Sequence, residues 1–403
     1  GGDEALEELC EKAREHDIEV ILDGVFNHTG SDSIYFNRFG KYPSLGAYQS
    51  VDSPYYSWYS FREFPDDYEC WWSVKILPRV NGSNKGFCSF ICDEVVKKWM
   101  KLGVSGWRLD VSDELDEGFL EEFRTAVKKN NPDGVLIGEV WEDASDKVSY
   151  GSRRAYLYGG ELDSVMNYPM RSAVIDYVKN GTVELMRKNS EGLYRRYPKC
   201  TSDNLMNFLG THDTERILTI LGGEEMGDKS NAELAKLKMT AEEREIARKK
   251  LKLAYGIIAG MPGSPCVFYG DEAGVEGYRD PFCRMPFPWK KIDEELLSFY
   301  RKIGTIRSTN TVFRDGIFEI LHLDERAFCY ERKPFDGGED YKIVVCCARH
   351  GKVIAKIWNY GKNHGVKLPI TAENLVTDEK NSTFVIQEGQ TAYLKCPISS
   401  SVE

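Results

Sequence analysis

Gly106-Trp-Arg-Leu-Asp110 is the stretch of sequence that decides the fold. It closes an apolar run, Val104 to Leu109, whose short length and β-branched and bulky residues are typical of a buried strand. Residues two apart on a strand point to the same face of a sheet. Arg108 and Asp110 are therefore predicted to project together at the carboxyl end of this strand.

Two other segments repeat this design. Val135 to Gly138 is an apolar strand followed by Glu139, and Leu205 to Leu209 leads through Gly-Thr into His212 and Asp213. One carboxylate after one strand is most often a helix cap or a loop ion pair. Three of them at three strand ends, with helical segments between, indicate a single site at the top of a parallel barrel.

Strands and helices alternate until about Thr311, which predicts an α/β fold with a parallel sheet or barrel. Six strands of the barrel type are predicted, ending near Asp23, Asp110, Glu139, Tyr168, Asp213 and Glu272. A TIM (β/α)8-type barrel needs two more. Because an all-β tail follows, we expect the first two strands of the barrel to precede Gly1 and to be missing from this chain.

The domain organisation follows from this pattern. Residues 1–28 and 89–308 are predicted to form the partial catalytic barrel. Residues 29–88 are too long for a connecting loop and are rich in Tyr, Trp, Gly, Pro and Ser, so they are predicted to form a small subdomain inserted after the third barrel strand. Residues 309–403 carry short strands separated by turns and are predicted to form an antiparallel β domain of the sandwich type.

Composition excludes several classes of partner. The formal net charge is −11 and there is no basic stripe, which argues against nucleic acid and anionic membranes and suits a neutral substrate. No apolar run approaches the roughly 18 residues of a membrane span. The 11 cysteines are irregularly spaced, which indicates buried free thiols in a reducing compartment and predicts a cytoplasmic protein. There is no CxxC pair and no clustering of the six histidines, so no zinc or other metal ligands are assigned.

Four motifs carry a family resemblance. They are Asp23-Gly-Val-Phe-Asn-His28, Gly106-Trp-Arg-Leu-Asp110, Gly138-Glu-Val-Trp141 and Gly210-Thr-His-Asp213. In this order and at these separations, they resemble the conserved regions of the α-amylase superfamily of glycoside hydrolases.

Further motifs resemble the neopullulanase, cyclomaltodextrinase and maltogenic amylase group: Asp110-Val-Ser-Asp-Glu114, Met166-Asn-Tyr-Pro169, Gly263-Ser-Pro-Cys266 and Asp280-Pro-Phe-Cys-Arg284. Three positions depart from that group. Leu77-Pro-Arg-Val-Asn81 replaces a Met-Pro-Lys-Leu-Asn motif, Glu142 stands where a histidine is common, and Asp113 replaces a frequent asparagine.

The resemblance implies a role for each matched residue. Asp110 would be the nucleophile, kept ionised by Arg108, and Glu139 the general acid and then the general base. Asp213 would bind sugar hydroxyls and favour the distorted ring of the transition state. The other residues that would bind substrate are His28, His212, Asp280, Arg284, Glu114 and Trp141. The mechanism would be retaining, with the two working carboxyls about 5–5.5 Å apart.

The resemblance also implies an α-glucan substrate, either an oligosaccharide or a polysaccharide such as a maltodextrin, a cyclodextrin or pullulan. Cleavage would be at α-1,4 bonds, with α-1,6 bonds left open. No cofactor would be required, and Asn27 could either order the loop beneath the subdomain or ligate calcium as in related amylases. A homodimer through a missing N-terminal region is a further expectation. The alternative is a non-catalytic or inactive protein of the amylase fold that serves in binding or scaffolding.

The sequence leaves two alternatives open for the residues outside the strand ends. Asp280 and Arg284 could instead form a surface ion pair, and the aromatic residues between 55 and 72 could either stack on sugar or pack the subdomain. Asp23 is expected to support the site rather than to take part in it.

Overall fold

A computed structural model describes residues 1–360 and 367–403 of the protein. The chain divides into two compact units, Gly1–Met166 and Asn167–Glu403. None of the helices in the described ranges is long and apolar enough to cross a membrane.

The first unit contains α1 (Asp3–Arg14), β1 (Ile21–Gly24), β2 (Phe61–Glu63), β3 (Asp67–Tyr68), α2 (Lys85–Ser89), a π-helical turn (Phe90–Val96), α3 (Lys97–Lys101), β4 (Gly106–Leu109), α4 (Glu117–Asn130), β5 (Val135–Gly138), β6 (Val148–Ser149), β7 (Ser152–Arg153) and β8 (Ser164–Val165). Its central sheet is parallel throughout, in the order β1-β4-β5-β8. The carboxyl ends of β1, β4 and β5 therefore lie side by side.

Close backbone approach sets the register of this sheet. A Cβ atom at Gly106 would lie 2.5 Å from the carbonyl oxygen of Val135, so a residue without a side chain is needed where β4 passes β5. In this register Asp23 of β1 is opposite Arg108 of β4. The apolar face of α4 covers the sheet, with Phe123 against Trp107 at a ring-centroid distance of 5.7 Å.

The second unit begins with α5 (Tyr168–Asn180), α6 (Val183–Arg196), α7 (Lys199–Ser202), β9 (Met206–Phe208), α8 (Ile217–Gly222), α9 (Asn231–Leu234), α10 (Ala241–Ala259), β10 (Ser264–Cys266), α11 (Glu294–Thr309) and α12 (Val312–Asp315). Strands β9 and β10 pair in parallel. The long helix α10 starts at a capping box, in which Thr240 and Glu243 satisfy each other's backbone N–H groups.

Strands are thus present at the six predicted positions, four in the first unit and two in the second. That they belong to a barrel stays a prediction. Several are shorter than predicted, two of them markedly so. The strand expected at 162–168 is confined to Ser164–Val165, and Tyr168 begins α5 instead. The strand expected at 265–272 is confined to Ser264–Cys266, and the chain then turns, with Gly270 in the left-handed region at φ 91°. That two further strands precede Gly1 stays a prediction.

The C-terminal part of the second unit is all β, as predicted. Its strands are β11 (Ile317–Leu323), β12 (Ala327–Lys333), β13 (Tyr341–Ala348), β14 (Val353–Tyr360), β15 (Lys367–Pro369), β16 (Ala372–Asn374), β17 (Glu379–Asn381), β18 (Thr383–Ile386), β19 (Thr391–Pro397) and β20 (Ser400–Val402). One sheet has the order β11-β12-β13-β19-β16-β17, and the other has β15-β14-β18 with β20 also on β14. Val344, Leu394, Ile357 and Phe384 are among the residues of its buried core.

This β region is hydrogen-bonded to the end of helix α10. The Tyr330 and Tyr393 hydroxyls donate to the carbonyl oxygens of Ile257 and Gly256, at 2.7 and 2.6 Å. The buried Arg332 guanidinium donates to the carbonyl of Gly260 at 3.2 Å. The last carbonyl groups of a helix have no hydrogen-bond donor within the helix. The side chains of the β region donate these hydrogen bonds instead.

Candidate active site

One guanidinium group joins the carboxylates at the ends of three neighbouring strands. Arg108 Nη1 lies 2.7 Å from Asp110 Oδ1 and 2.7 Å from Asp23 Oδ1, and Nη2 lies 2.8 Å from Glu139 Oε2. Burial would lower the pKa of Arg108, but the charge of Glu139 and the bonds to Asp23 and Asp110 outweigh burial and raise it. The group therefore stays charged and fixes the three carboxyl groups around itself.

Glu139 is the buried member of this group, with 4% of its surface exposed. The Val111 N–H donates to its Oε2 at 2.8 Å, and Trp141 Nε1 donates to its Oε1 at 3.0 Å. Burial raises the pKa of Glu139 above the ordinary value, as does the charge of Asp110, while Arg108 and the two hydrogen bonds oppose the rise. Glu139 thus holds its proton to a higher pH than an exposed glutamate would.

A strained backbone conformation directs the Val111 N–H toward Glu139. Val111 has φ 39° and ψ 57°, a left-handed conformation that is a genuine outlier for a β-branched residue. The next N–H, that of Ser112, donates to the carbonyl oxygen of Glu139 at 3.1 Å. The turn after β4 therefore points two successive N–H groups at Glu139, and such strain is typical of functional sites.

His28 lies beside this group with its ring orientation fixed. Asn27 Nδ2 donates to His28 Nδ1 at 3.3 Å, so the imidazole proton is placed on Nε2, which is free to donate to a ligand. The ring stacks on Trp71 at a centroid distance of 5.3 Å. Burial lowers the pKa of His28, and the charge of Asp110 only partly opposes this, so the neutral form prevails near neutral pH.

Calcium binding at Asn27 stays a prediction. Asn27 Oδ1 is buried without a hydrogen-bond partner in the described ranges, so it is one available oxygen donor. Within residues 1–360 and 367–403, however, no group of three or more His, Cys, Asp or Glu side chains is arranged to hold a metal ion. Calcium takes six to eight oxygen ligands, so Asn27 could hold this ion only together with further oxygen donors.

The loop after β5 is held to the turn after β4 through Asp113. Lys147 Nζ lies 2.9 Å from Asp113 Oδ2 and also contacts the Glu142 carboxylate. The Tyr156 hydroxyl donates to Asp113 Oδ1 at 2.7 Å, and the Ser149 hydroxyl donates to its carbonyl oxygen at 2.9 Å. Asp113 and Glu142, two of the three departures from the related enzymes, thus share one lysine.

Glu114, a predicted substrate-binding residue, is engaged within the protein. Its carboxylate contacts the Tyr150 hydroxyl and lies 3.7 Å from Arg79 Nη2. Arg79 in turn lies over the Tyr150 ring, 5.2 Å from its centroid. Glu114, in the turn after β4, therefore anchors an exposed tyrosine of the loop after β5, and any contact of Glu114 with substrate stays a prediction.

The second unit carries the remaining predicted residues. His212 Nε2 lies 3.1 Å from Asp213 Oδ2, and Arg284 Nη2 lies 3.6 Å from Asp213 Oδ1. Arg284 Nε also lies 3.1 Å from Asp280 Oδ2, and the Cys283 thiol donates to the carbonyl oxygen of His212 at 3.3 Å. The ion pair of Asp280 and Arg284 is therefore present, and the same arginine reaches Asp213.

Comparison with known proteins agrees with these motifs. Residues 1–310 match the family described as alpha amylase, catalytic domain. Amylopullulanase from Thermoanaerobacter thermohydrosulfuricus is 36% identical over 373 residues, which are 83% of this chain and 24% of that protein. Cyclomaltodextrinase from Thermoanaerobacter pseudethanolicus is 32% identical over 402 residues, which are 96% of this chain and 62% of that protein. The chain thus spans less than two thirds of the length of either relative.

A solved structure of the ligand-free cyclic alpha-maltosyl-(1→6)-maltose hydrolase from Arthrobacter globiformis matches with a TM-score of 0.77 and 24% identity, over 98% of this chain and 79% of that one. At this identity the match shows the fold alone. The predicted resemblance to the cyclomaltodextrinase group is confirmed by the sequence matches. With the family match covering residues 1–310 and the strand-end carboxylates in place, the chain belongs to the alpha-amylase family of glycoside hydrolases.

Proposed function

We propose that the protein is a retaining α-glucan hydrolase in which Asp110 is the nucleophile and Glu139 the acid and base. The observation that carries this proposal is the sharing of Arg108 by two carboxyl groups in unlike surroundings. Glu139 is buried and its pKa is raised, whereas the Asp110 side chain is 20% exposed and paired with the guanidinium. A buried carboxyl group with a raised pKa is suited to donate a proton, and a more exposed carboxylate beside a guanidinium is suited to attack.

In the first step, an oxygen of Asp110 would attack the anomeric carbon while Glu139 gives its proton to the departing glycosidic oxygen. This forms a glucosyl ester on Asp110 and leaves Glu139 ionised. In the second step, Glu139 would take a proton from water, the water oxygen would bond to the anomeric carbon, and Asp110 would depart as carboxylate. Two inversions at one carbon retain its configuration.

Arg108 suits this exchange of charge. Before the first step, Asp110 is negative and Glu139 is protonated; after it, Asp110 is an ester and Glu139 is negative. The guanidinium contacts both groups, so its negative partner changes without any movement of the arginine. Because the charge of Asp110 contributes to the raised pKa of Glu139, its loss in the ester lowers that pKa and favours the switch from acid to base.

The substrate is proposed to be a neutral α-glucan, in keeping with the printed names of the amylopullulanase and cyclomaltodextrinase relatives. His28, His212, Asp213, Asp280 and Arg284 are proposed to bind its hydroxyl groups. Chromatography of the products from maltotriose, pullulan and a cyclodextrin tests which bonds are cut. Absence of glucose or short oligosaccharides from all three would contradict the proposal.

Two variants test the assignment of roles. Glu139→Gln lacks the proton donor but keeps the nucleophile, so it should fail on maltotriose, by about 10²-fold or more. It should still cleave 4-nitrophenyl α-glucoside, whose leaving group departs with little protonation, and azide should accelerate that turnover by attacking the glucosyl ester. Asp110→Asn should be impaired on both substrates and gain nothing from azide.

Asp133→Asn and Glu117→Gln are matched controls, because both side chains are exposed and lie outside the site. Each should hydrolyse both substrates like the unchanged protein. Azide rescue of Asp110→Asn in place of Glu139→Gln, with retained configuration of the glucosyl azide, would mean that the roles are reversed.

A further inference from the structure

Three stacked rings lead away from the proposed catalytic group. The His28 ring stacks on Trp71 at a centroid distance of 5.3 Å and an interplanar angle of 24°. Trp71 stacks on Trp72 at 4.9 Å and 13°. The row begins at His28, which is close enough to Asp110 for the carboxylate charge to affect the pKa of the imidazole. It ends at Trp72, which is 75% exposed.

The position of Trp72 is not explained by packing. A tryptophan side chain is large and mostly apolar, and its exposure to water is unfavourable. Within the described residues, no ring besides Trp71 stacks on Trp72, so its outer face is open. Trp71 already covers His28, and Trp72 adds nothing to that contact.

The backbone that presents this indole is strained. Trp72 has φ 46° and ψ 37°, and Ser73 has φ 64°, so two successive residues with side chains are left-handed. The loop is closed on itself, since the Trp71 N–H donates to the Leu77 carbonyl and the Val74 N–H donates to the Trp71 carbonyl, both at 2.9 Å. An isolated bridge between Cys70 and Pro78 closes its base. Strain that is held by its surroundings and exposes an apolar ring calls for a functional reason.

We propose that Trp72 is a stacking platform for a glucose unit of the substrate beyond the unit that reacts at Asp110. The inference rests on the proposed function, because it is the continuity of the row with His28 that selects a sugar as ligand. A pyranose ring has an apolar face of C–H groups, which can cover an indole and displace water from both surfaces. The platform is neutral and binds through a face, so it suits an uncharged chain of glucose units.

Calorimetric titration with maltose, maltotriose and each longer oligosaccharide up to maltohexaose tests the platform, with every protein carrying Glu139→Gln so that the ligands are not hydrolysed. At one chain length, the protein that keeps Trp72 should gain affinity as the added glucose reaches this residue. Trp72→Ala should lack that gain and bind the longer oligosaccharides about three- to tenfold more weakly. Trp72→Phe, which keeps a smaller ring, should retain part of it.

Trp72→Gly guards against an indirect effect on the loop. Glycine adopts the left-handed conformation without strain, so this variant removes the ring while preserving the backbone. Phe335→Ala is the control for loss of an exposed aromatic residue elsewhere, and its affinities should not change. Unchanged affinity of Trp72→Gly for every oligosaccharide would overturn the proposal.

The same variants separate this inference from the proposed function. With 4-nitrophenyl α-glucoside, which carries one glucose, Trp72→Gly should keep the kcat of the unchanged protein, whereas KM for maltohexaose should rise. If the unchanged protein binds oligosaccharides but hydrolyses nothing, the proposed function fails while the titrations still decide the role of Trp72. A fall in kcat on the aryl glucoside without a change in oligosaccharide affinity would overturn the platform and leave hydrolysis established.

Discussion

Replacement of Trp141 by phenylalanine should move the pH at which the acid loses its proton. Trp141 Nε1 donates a hydrogen bond to Glu139 Oε1 at 3.0 Å, and phenylalanine has no such donor. The bond stabilises the carboxylate form, so it lowers the pKa of Glu139 against the raising effect of burial. Its loss leaves the protonated form favoured over a wider range, and the pKa of Glu139 rises further.

The size of the shift follows from the strength of that bond. A hydrogen bond to a charged group contributes roughly 1.5–3 kcal/mol. Trp141 is itself 48% exposed, so the lower end of the range applies. One pKa unit corresponds to about 1.36 kcal/mol, and we therefore expect an upward shift of about one unit. Glu139 must be protonated to act, so the alkaline limb of kcat/KM should move to higher pH by this amount.

The assay is the pH dependence of kcat/KM for maltotriose, whose leaving group needs the proton. The Trp289→Phe variant is the matched control, since Trp289 is 80% exposed and removed in sequence from both carboxyl groups, and its alkaline limb should not move. Trp141→Phe with an alkaline limb that is unmoved, or moved to lower pH, would refute the proposed electrostatics of Glu139.

Two further predictions concern the loop and the β domain. Lys147→Met removes the cation shared by Asp113 and Glu142. Hydrogen exchange of the backbone amides across 142–157 should therefore accelerate, and kcat/KM should fall by roughly tenfold. Exchange at the unchanged rate would contradict the anchoring role of Lys147. Tyr330→Phe leaves a buried carbonyl of helix α10 without its donor, so the free energy of unfolding in urea should fall by ~1–3 kcal/mol. Tyr158→Phe, at an exposed tyrosine, should change it by less than about 0.5 kcal/mol, and equal losses in the two variants would contradict the role of the Tyr330 hydroxyl.

The strand-end residues of the candidate site could be predicted because strand geometry is local. Arg108 and Asp110 are two residues apart, and the structure places both against one another as a period of two requires. Glu139 follows an apolar strand of the same kind, and parallel pairing of β4 with β5 brings it to the same edge. Strand lengths were harder to predict, because the segment 162–168 continues past the hydrogen-bonded ladder into a helix without a break that the sequence marks.

Other parts of the site had no signal in the sequence. The left-handed conformation of Val111 depends on the turn that joins β4 to its neighbours, and a valine there gives no hint of positive φ. The contact of Lys147 with Asp113 joins residues distant in sequence, and only the folded loop brings them together. The departures at Asp113 and Glu142 were visible, but the lysine that they share was not.

Mass spectrometry of the Glu139→Gln protein after reaction with α-glucosyl fluoride tests most directly whether Asp110 is the nucleophile. Fluoride leaves without a proton from Glu139, and removal of that base slows hydrolysis of the ester, so the covalent intermediate should accumulate. We predict that one glucosyl group is attached to the peptide that contains Asp110, and that Asp110→Asn in the same background abolishes it. A glucosyl group on a peptide without Asp110, or release of product with inverted configuration and no adduct, would contradict the proposed mechanism.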